Sequence, residues 1–166
     1  VMPSLIGNRV RHDAGILKTG GNILHFHGSV ANAYRGDTVI ADGTLLLSKT
    51  NALAVIGDLL IGDGSGALDS AQVRLANSHQ ISDTAPITIS EDGLLDLNGR
   101  LDTIGTLTLQ GGDLVTDAGT LTLGGNINVV TSTNTPNIDG NLSLGSANRT
   151  VNVAAGPTSL FIGAQI

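Results

Sequence analysis

Residues 105–125 read GTLTLQGGDLVTDAGTLTLGG and contain one five-residue phrase twice, at 105–109 and at 119–123. Apolar and polar residues alternate within each phrase, and alternate residues of a β-strand point to opposite faces. We therefore predict short, half-buried strands whose leucines face inward. The threonines should face outward, because Thr is a favourable strand former on a solvated face.

Glycines recur through this stretch at a nearly constant interval. Those at positions 105, 112, 119 and 125 are separated by 7, 7 and 6 residues. Three short strands with their turns would return the chain to the same phase after 20 residues, which is the repeat of a three-sided solenoid. Further copies of the phrase lie at 43–47, 57–61, 93–97, 125–129 and 140–144.

Two other folds fit this pattern less well. Helices would lose about 1 kcal/mol at each of these glycines. A β-meander sandwich spaces its strands more widely and fills its core with aromatic residues, whereas this chain has 2 Phe, 1 Tyr and no Trp. The sequence thus predicts an all-β fold, a right-handed parallel β-helix with three short strands per coil and about eight coils of about 20 residues.

Length and composition restrict the class of protein. A length of 166 residues is typical of a single domain, so we assign residues 1–166 to a single β-solenoid segment. The net charge of −6 argues against nucleic acid as a partner. No apolar run approaches the roughly 20 residues that span a bilayer, so no membrane insertion is expected. Residues 1–10 lack the basic region of a signal peptide, and we expect an internal piece of a longer exported chain.

The phrase also predicts which residues form the core and where the pattern breaks. A strand is expected at 72–76, a turn at 78–85, and a polar loop that protrudes from one corner at 131–137. The alternation allows one consistent facing of the regular strands. It predicts that Leu95, Leu97, Leu107, Leu109, Leu121, Leu123, Leu142 and Leu144 are buried and that Thr106, Thr108, Thr120 and Thr122 are exposed.

Residues 17–47 carry a more specific signature. Thr19-Gly20, Leu24, Phe26 and Gly28 fit a phrase T-G-x-G-x-L-x-L-x-G, with Asn22 in place of its second glycine. A second phrase, N-x-Y-x-G-x-T-x-V-x-x-G-x-L-x-L, is matched by Asn32, Tyr34, Gly36, Thr38, Ile40, Gly43, Leu45 and Leu47. Together they resemble the autotransporter-associated β-strand repeat of bacterial surface proteins. Looser similarity continues to about residue 130.

This resemblance implies a right-handed β-helix, export, and a structural or adhesive role without catalytic residues. Our functional hypothesis is a non-enzymatic stalk, filament unit or passenger domain at the bacterial cell surface or outside the cell. The expected partners are other surface domains, further copies joined end to end, a polysaccharide or a host surface. The alternative is a carbohydrate-binding or carbohydrate-active β-helix, which a groove of clustered acids and aromatic platforms would favour.

One glycine-rich segment formally matches a cofactor motif. Residues 62–67, GDGSGA, fit the dinucleotide fingerprint and are followed by Glu91 and Asp92. The fingerprint requires a βαβ unit, which short alternating strands do not supply, so we predict a turn between coils and no cofactor. Asp63 and Asp69 could offer oxygens to Ca²⁺, but the repeated nonapeptide of calcium-binding β-rolls is missing.

Two short motifs have simple explanations. His25 and His27 flank Phe26 and share one strand face, but two ligands are too few for a metal site. We interpret both as solvent-facing residues. Arg35-Gly36-Asp37 spells a receptor-recognition tripeptide, yet Gly36 is already required by the repeat phrase, and chance explains the two flanking residues.

No catalytic site is predicted. Acids stand beside glycines at expected corners, as in Asp42, Asp63, Asp92 and Asp139, and Asp is a frequent turn residue. Asp96 lies within a strand, faces outward, and is expected to stand alone. General acid–base catalysis needs paired groups in register, and no G-x-S-x-G nucleophile motif occurs.

Overall fold

The computed structural model describes residues 14–155 and 159–166. Within these residues the chain is all-β without helix, and parallel sheets form a β-solenoid of about 7 turns with coils of about 21 residues. The predicted fold class is thereby confirmed. The part of the predicted segment that precedes residue 14 lies outside the described residues.

In residues 14–155 and 159–166, seventeen strands form three sheets. Sheet 1 has the order β1-β3-β5-β7-β10-β13-β16, sheet 2 has β2-β4-β6-β8-β11-β14-β17, and sheet 3 has β9-β12-β15. We number the coils 1 to 7 by their sheet 1 strand. The strands are β1 Ile16–Lys18, β2 Ile23–Gly28, β3 Thr38–Ile40, β4 Gly43–Lys49, β5 Leu59–Ile61, β6 Ala71–Leu75, β7 Ile87–Ser90, β8 Gly93–Asp96, β9 Leu101–Ile104, β10 Leu107–Gln110, β11 Asp113–Val115, β12 Thr120–Leu123, β13 Ile127–Val129, β14 Asn137–Asp139, β15 Leu142–Ser143, β16 Val151–Val153 and β17 Phe161–Ile162.

The interior is a set of aliphatic ladders that run along the rod. Leu107, for example, pairs in register with Ile87 on one side and with Ile127 on the other, and all three are fully buried. Of the eight leucines predicted to be buried, seven are so. Leu144 is 37% exposed, and that prediction is wrong. Strand β15 ends at Ser143, the residue before Leu144, and it pairs with β12 alone. No strand of a further coil therefore covers the Leu144 side chain.

The four threonines of the phrase lie on the outer faces but are half-buried rather than exposed. The rung spacing of about 4.8 Å explains this difference, because each outward side chain is partly covered by its neighbours on the next coils. Thr122, for instance, pairs with Thr103 below and with Ser143 above. The threonines thus face outward as predicted, but their exposure to solvent is lower than predicted.

The third side of the solenoid differs along the rod. Sheet 3 has one strand in each of coils 4 to 6, so three strands per coil is correct there. Among the described residues of coils 1 to 3 this side has no strand and contributes only the isolated bridge of Val55, in coil 2, to Ile81, in coil 3. The strand predicted at 72–76 is β6, and the turn predicted at 78–85 lies on this side of coil 3.

Extra residues accumulate where a sheet 1 strand leads to the sheet 2 strand of the same coil, which we call the first corner. This connection has 2 residues in coil 2 (41–42), coil 4 (91–92) and coil 5 (111–112). It lengthens to 62–70 in coil 3 and to 130–136 in coil 6. The insertions lengthen these coils, and the part of the chain that the structure describes forms about 7 coils where eight were predicted. Leu59 pairs with Ile87, which is 28 residues away.

Candidate functional site

The glycine-rich loop 62–70 is held by a carboxylate of the next coil. The amide N–H groups of Asp63 and Gly64 donate to Asp92 over 3.3 and 2.7 Å, and Asp92 is only 2% exposed. Gly62 has φ +84°, and a Cβ there would lie 2.4 Å from the same carboxylate. The amides that would receive a phosphate in a dinucleotide site therefore bind an internal anion. The loop is a turn, but it lies within coil 3, between β5 and β6, rather than between two coils as predicted.

The loop 130–136 is also tied to coil 4. The Glu91 side chain accepts a hydrogen bond from the Thr133 amide at 2.5 Å and another from the Thr133 hydroxyl at 2.8 Å. These bonds lower the pKa of Glu91 below its ordinary value. The loop passes over Gly111 of coil 5, where a Cβ would lie 3.1 Å from Ser132 Cβ. It was predicted to protrude, but it folds back along the rod.

Adjacent acids thus hold two insertions that arrive from opposite directions. Asp92 anchors the loop of coil 3, and Glu91 anchors the loop of coil 6. Both carboxylates belong to the two-residue corner of coil 4. This acidic pair stabilises the first corner, and its acceptor positions are used by the chain itself.

Acidic side chains of neighbouring coils also approach one another at this corner. Burial raises the pKa of Asp113, and the negative charges of Asp69 and Asp139 raise it further. Asp63 accepts a hydrogen bond from the amide of Ser65 in its own loop, at 2.9 Å. The described residues contain no group of three or more His, Cys, Asp or Glu side chains that could hold a metal ion.

The two histidines lie where the alternation predicted them. His25 and His27 are exposed on the outer face of β2, with ring centroids 5.2 Å apart, while Leu24 and Phe26 pack against the core. His25 Nε2 shares a hydrogen bond of 2.5 Å with Ser48 Oγ on the next coil. The pair is part of the outer surface of sheet 2.

The Arg35-Gly36-Asp37 tripeptide is built into the stack of coils. The amide of Gly36, which is buried, donates to Ala14 O, and Asp37 O accepts from the amide of Ile16. A Cβ at Gly57 of the next coil would lie 2.5 Å from Gly36 O. Receptor recognition by this tripeptide would require an exposed loop, whereas here its backbone is in contact with coils on both sides.

Asp96 was expected to stand alone, and this is wrong. It forms an ion pair of 3.3 Å with Arg74, which occupies the same register position one coil below. Its carboxylate also accepts a hydrogen bond of 2.7 Å from the amide of Asn98. The pairing of β6 with β8 brings these charges together, and single-strand periodicity could not reveal that register.

Two buried polar residues were missed by the sequence analysis. Gln80 is fully buried and Asp102 is 2% exposed. Burial raises the pKa of Asp102 to about 6, although amides of Gln80, Thr103 and Ile81 donate to its carboxylate and oppose this shift. A signal for Asp102 was present, because the alternation places it on the same face as the buried Ile104.

The described residues include no helix that is long and apolar enough to cross a membrane. In comparisons with known proteins, no family model matches the chain, and no curated protein or solved structure gives a significant match.

Proposed function

We propose that this solenoid is a non-enzymatic structural or adhesive segment of a secreted bacterial surface protein, where it serves as a stalk, filament unit or passenger domain. A rod with a continuous aliphatic interior suits such a role, because each added coil lengthens it without changing its cross-section. Export is part of the proposal and rests on the resemblance of residues 17–47 to the surface repeat.

The use of the acids is the observation that carries the proposal. A catalytic carboxylate must be free to exchange a proton with substrate. Here the carboxylates stabilise turns and corners by accepting hydrogen bonds from main-chain amides. Those that do so are Asp42, Asp63, Glu91, Asp92, Asp96, Asp102 and Asp113.

The strand positions agree with the repeat phrases that suggested a surface protein. Leu24 and Phe26 of the first phrase lie on β2 and pack against the core. In the second phrase, Gly43 begins β4, and Leu45 and Leu47 are fully buried. The first phrase thus covers a corner and β2, and the second runs through β3 and the next corner into β4.

Surface labelling of the source cells tests this proposal. An antibody raised against the 166-residue chain should label intact cells or the medium, and protease added to intact cells should remove the cell-bound signal. A cytoplasmic protein detected in parallel should stay intact. Labelling that appears only after lysis would contradict the proposal.

A carbohydrate-active β-helix is the second candidate. The uncharged outer face of sheet 1, which is described below, favours its carbohydrate-binding form, whereas a carbohydrate-active form would also need paired acids in register. The purified chain should release no reducing ends from neutral or acidic polysaccharides beyond those released by a heat-denatured sample. Release that grows with protein concentration would replace the non-enzymatic role with this candidate.

A further inference from the structure

The outer face of sheet 1 carries two rows of Thr and Asn side chains, one in coils 4 to 7 and one in coils 5 to 7. Leu107 and Ile127 point inward and are fully buried, so the residues beside them point outward. The strand registers align these outward residues from one coil to the next. One row is Thr88, Thr108, Asn128 and Asn152, and the row beside it is Thr106, Asn126 and Thr150; together they form what we call the Thr/Asn face.

Most polar groups on the Thr/Asn face are available to a ligand. Asn126 Oδ1 accepts a hydrogen bond of 3.0 Å from the amide of Thr150. Within the described part of the chain, the other side chains of this face make no hydrogen bond. Hydroxyl and amide side chains each provide donors and acceptors, which is also true of sugar hydroxyl groups.

The charge distribution distinguishes this face from the outer face of sheet 2. It contains no ionisable side chain, although the chain carries a net charge of −6. The outer face of sheet 2, by contrast, carries Arg74, Asp96, Asp113 and Asp139. A polyanion or a basic partner would find no opposite charge on the Thr/Asn face, whereas an uncharged ligand loses no ionic hydration there.

Geometry favours a repeating and extended ligand. Each row advances by about 4.8 Å per coil along the rod, and an extended pyranoside chain advances by a similar length per sugar. The β-branched threonines and the parallel ladders hold the groups in place, so little conformational entropy is lost on binding. Weak contacts repeated on successive coils would then combine into useful affinity.

We propose that the Thr/Asn face binds an extended, neutral polysaccharide that lies along the rod axis. This inference deepens the adhesive role proposed above and rests on it. It requires no catalytic group, no metal and no aromatic platform, because the binding energy comes from hydrogen bonds to a rigid array.

Affinity electrophoresis of the 166-residue chain tests the inference. Three native gels are run, which contain hydroxyethyl cellulose, a neutral mannan or a neutral galactan. At least one of these polysaccharides should slow the migration of the protein, and added salt should not restore its mobility. Thr108→Val keeps the shape of the side chain but removes a hydroxyl group. Affinity should fall by about fivefold, the effect of one neutral hydrogen bond.

A matched control is provided by Thr122→Val on sheet 3. Thr108 and Thr122 both stand between two buried leucines and are both half-buried, but they lie on different outer faces. Thr122→Val should bind as the wild type does. Asn128→Lys, which places a charge in the middle of the face, should abolish retardation, and a melting curve will show whether it remains folded.

Three results would overturn the inference. These are an absence of retardation in all three gels, equal losses for the two Val variants, or binding only to an anionic polysaccharide such as alginate. If labelling places the protein on the cell surface and no gel retards it, the polysaccharide inference alone fails. If labelling is confined to lysed cells, the proposed function itself fails.

Discussion

Coils 4 to 6 and coils 1 to 3 close their third side in different ways. In coils 4 to 6 that side is sheet 3, in which main-chain groups of one coil pair with those of the next. In coil 2, β4 extends to Lys49, whereas its partner β6 in coil 3 ends at Leu75, which pairs with Leu47. The main chain beyond Leu47 therefore lacks a strand partner on the next coil.

Side chains supply the missing hydrogen bonds. The Gln80 amide accepts from Lys49 N at 2.7 Å and donates to Lys49 O at 3.0 Å, as a peptide group of a neighbouring strand would. The Gln80 main chain in turn donates to Asp102 and accepts from Ala54 and Val55. Gln80 thus links coils 2, 3 and 4, and the comparison shows that a buried amide can replace one rung of a ladder.

Gln80→Ala should cause the largest loss of stability, and it tests directly whether the Gln80 side chain replaces a strand partner. It removes three hydrogen bonds from a fully buried position and leaves a cavity. We expect the free energy of unfolding to fall by about 3–6 kcal/mol, measured by urea denaturation.

Two further variants separate the hydrogen bonds from the cavity. Gln80→Leu restores most of the volume but leaves Lys49 N unpaired, so it should remain at least about 1 kcal/mol less stable than the wild type. Gln110→Ala, at the half-buried end of β10, should cost less than about 1 kcal/mol. Wild-type stability of Gln80→Leu would show that the amide is not a substitute for the ladder.

Leu121→Ala tests the regular region. The side chain is fully buried in sheet 3 between neighbouring coils, and its loss should cost about 2–5 kcal/mol. Leu144→Ala is the matched control, because Leu144 has the same place in its phrase as Leu123 but is 37% exposed. It should cost less than about 1 kcal/mol. Equal urea midpoints for the two variants would contradict the burial pattern described here.

The local repeat was enough to predict the regular region, whereas the contacts between coils were not predictable. The alternation around Leu107 and Leu121 specified strands, facing and approximate coil length, because period-2 burial allows one register. Where each coil lengthens depends on insertions such as 62–70 and 130–136, which shift the register beyond what a single strand can indicate. The contact of Gln80 with Lys49 spans the 62–70 insertion and depends on that shifted stacking. The ion pair of Asp96 with Arg74 depends on which residues of neighbouring coils face each other, and one strand does not specify this.

Asp102 provides a pH test of the third side of the solenoid, where its carboxylate accepts hydrogen bonds from the main chain of Gln80 and Ile81. Burial favours its neutral form in the folded chain and raises its pKa to about 6 from 3.8. Its contribution to stability is therefore complete below about pH 4 and is lost as the pH rises through about 6. The difference between the two pKa values corresponds to about 3 kcal/mol in the free energy of unfolding.

Asp102→Asn should remove this pH dependence, since the amide stays neutral and keeps one acceptor oxygen. Between about pH 4 and 7, wild-type stability should fall relative to Asp102→Asn by up to about 3 kcal/mol in urea melts. Asp83→Asn, at an exposed turn position, should retain the wild-type profile. Parallel profiles for the wild type and Asp102→Asn would rule out Asp102 as the source.

The smallest expected effect concerns the loop 130–136, which crosses the regular region from coil 6 back to coil 4. Its hydrogen bonds lower the pKa of Glu91, so their stabilising effect is present above the ordinary pKa of Glu and is lost as the pH falls through the lowered value. Amide exchange at Thr133, corrected for its intrinsic pH dependence, should therefore accelerate on acidification while Leu95 in β8 stays protected.

Glu91→Ala should give fast exchange at Thr133 at all pH values, because it offers no acceptor. Glu91→Gln keeps an acceptor without a titrating charge and should make the corrected exchange independent of pH. If acid loosens the loop equally in the wild type and in Glu91→Gln, another group releases it, and the coil 4 anchor at Glu91 does not control this segment.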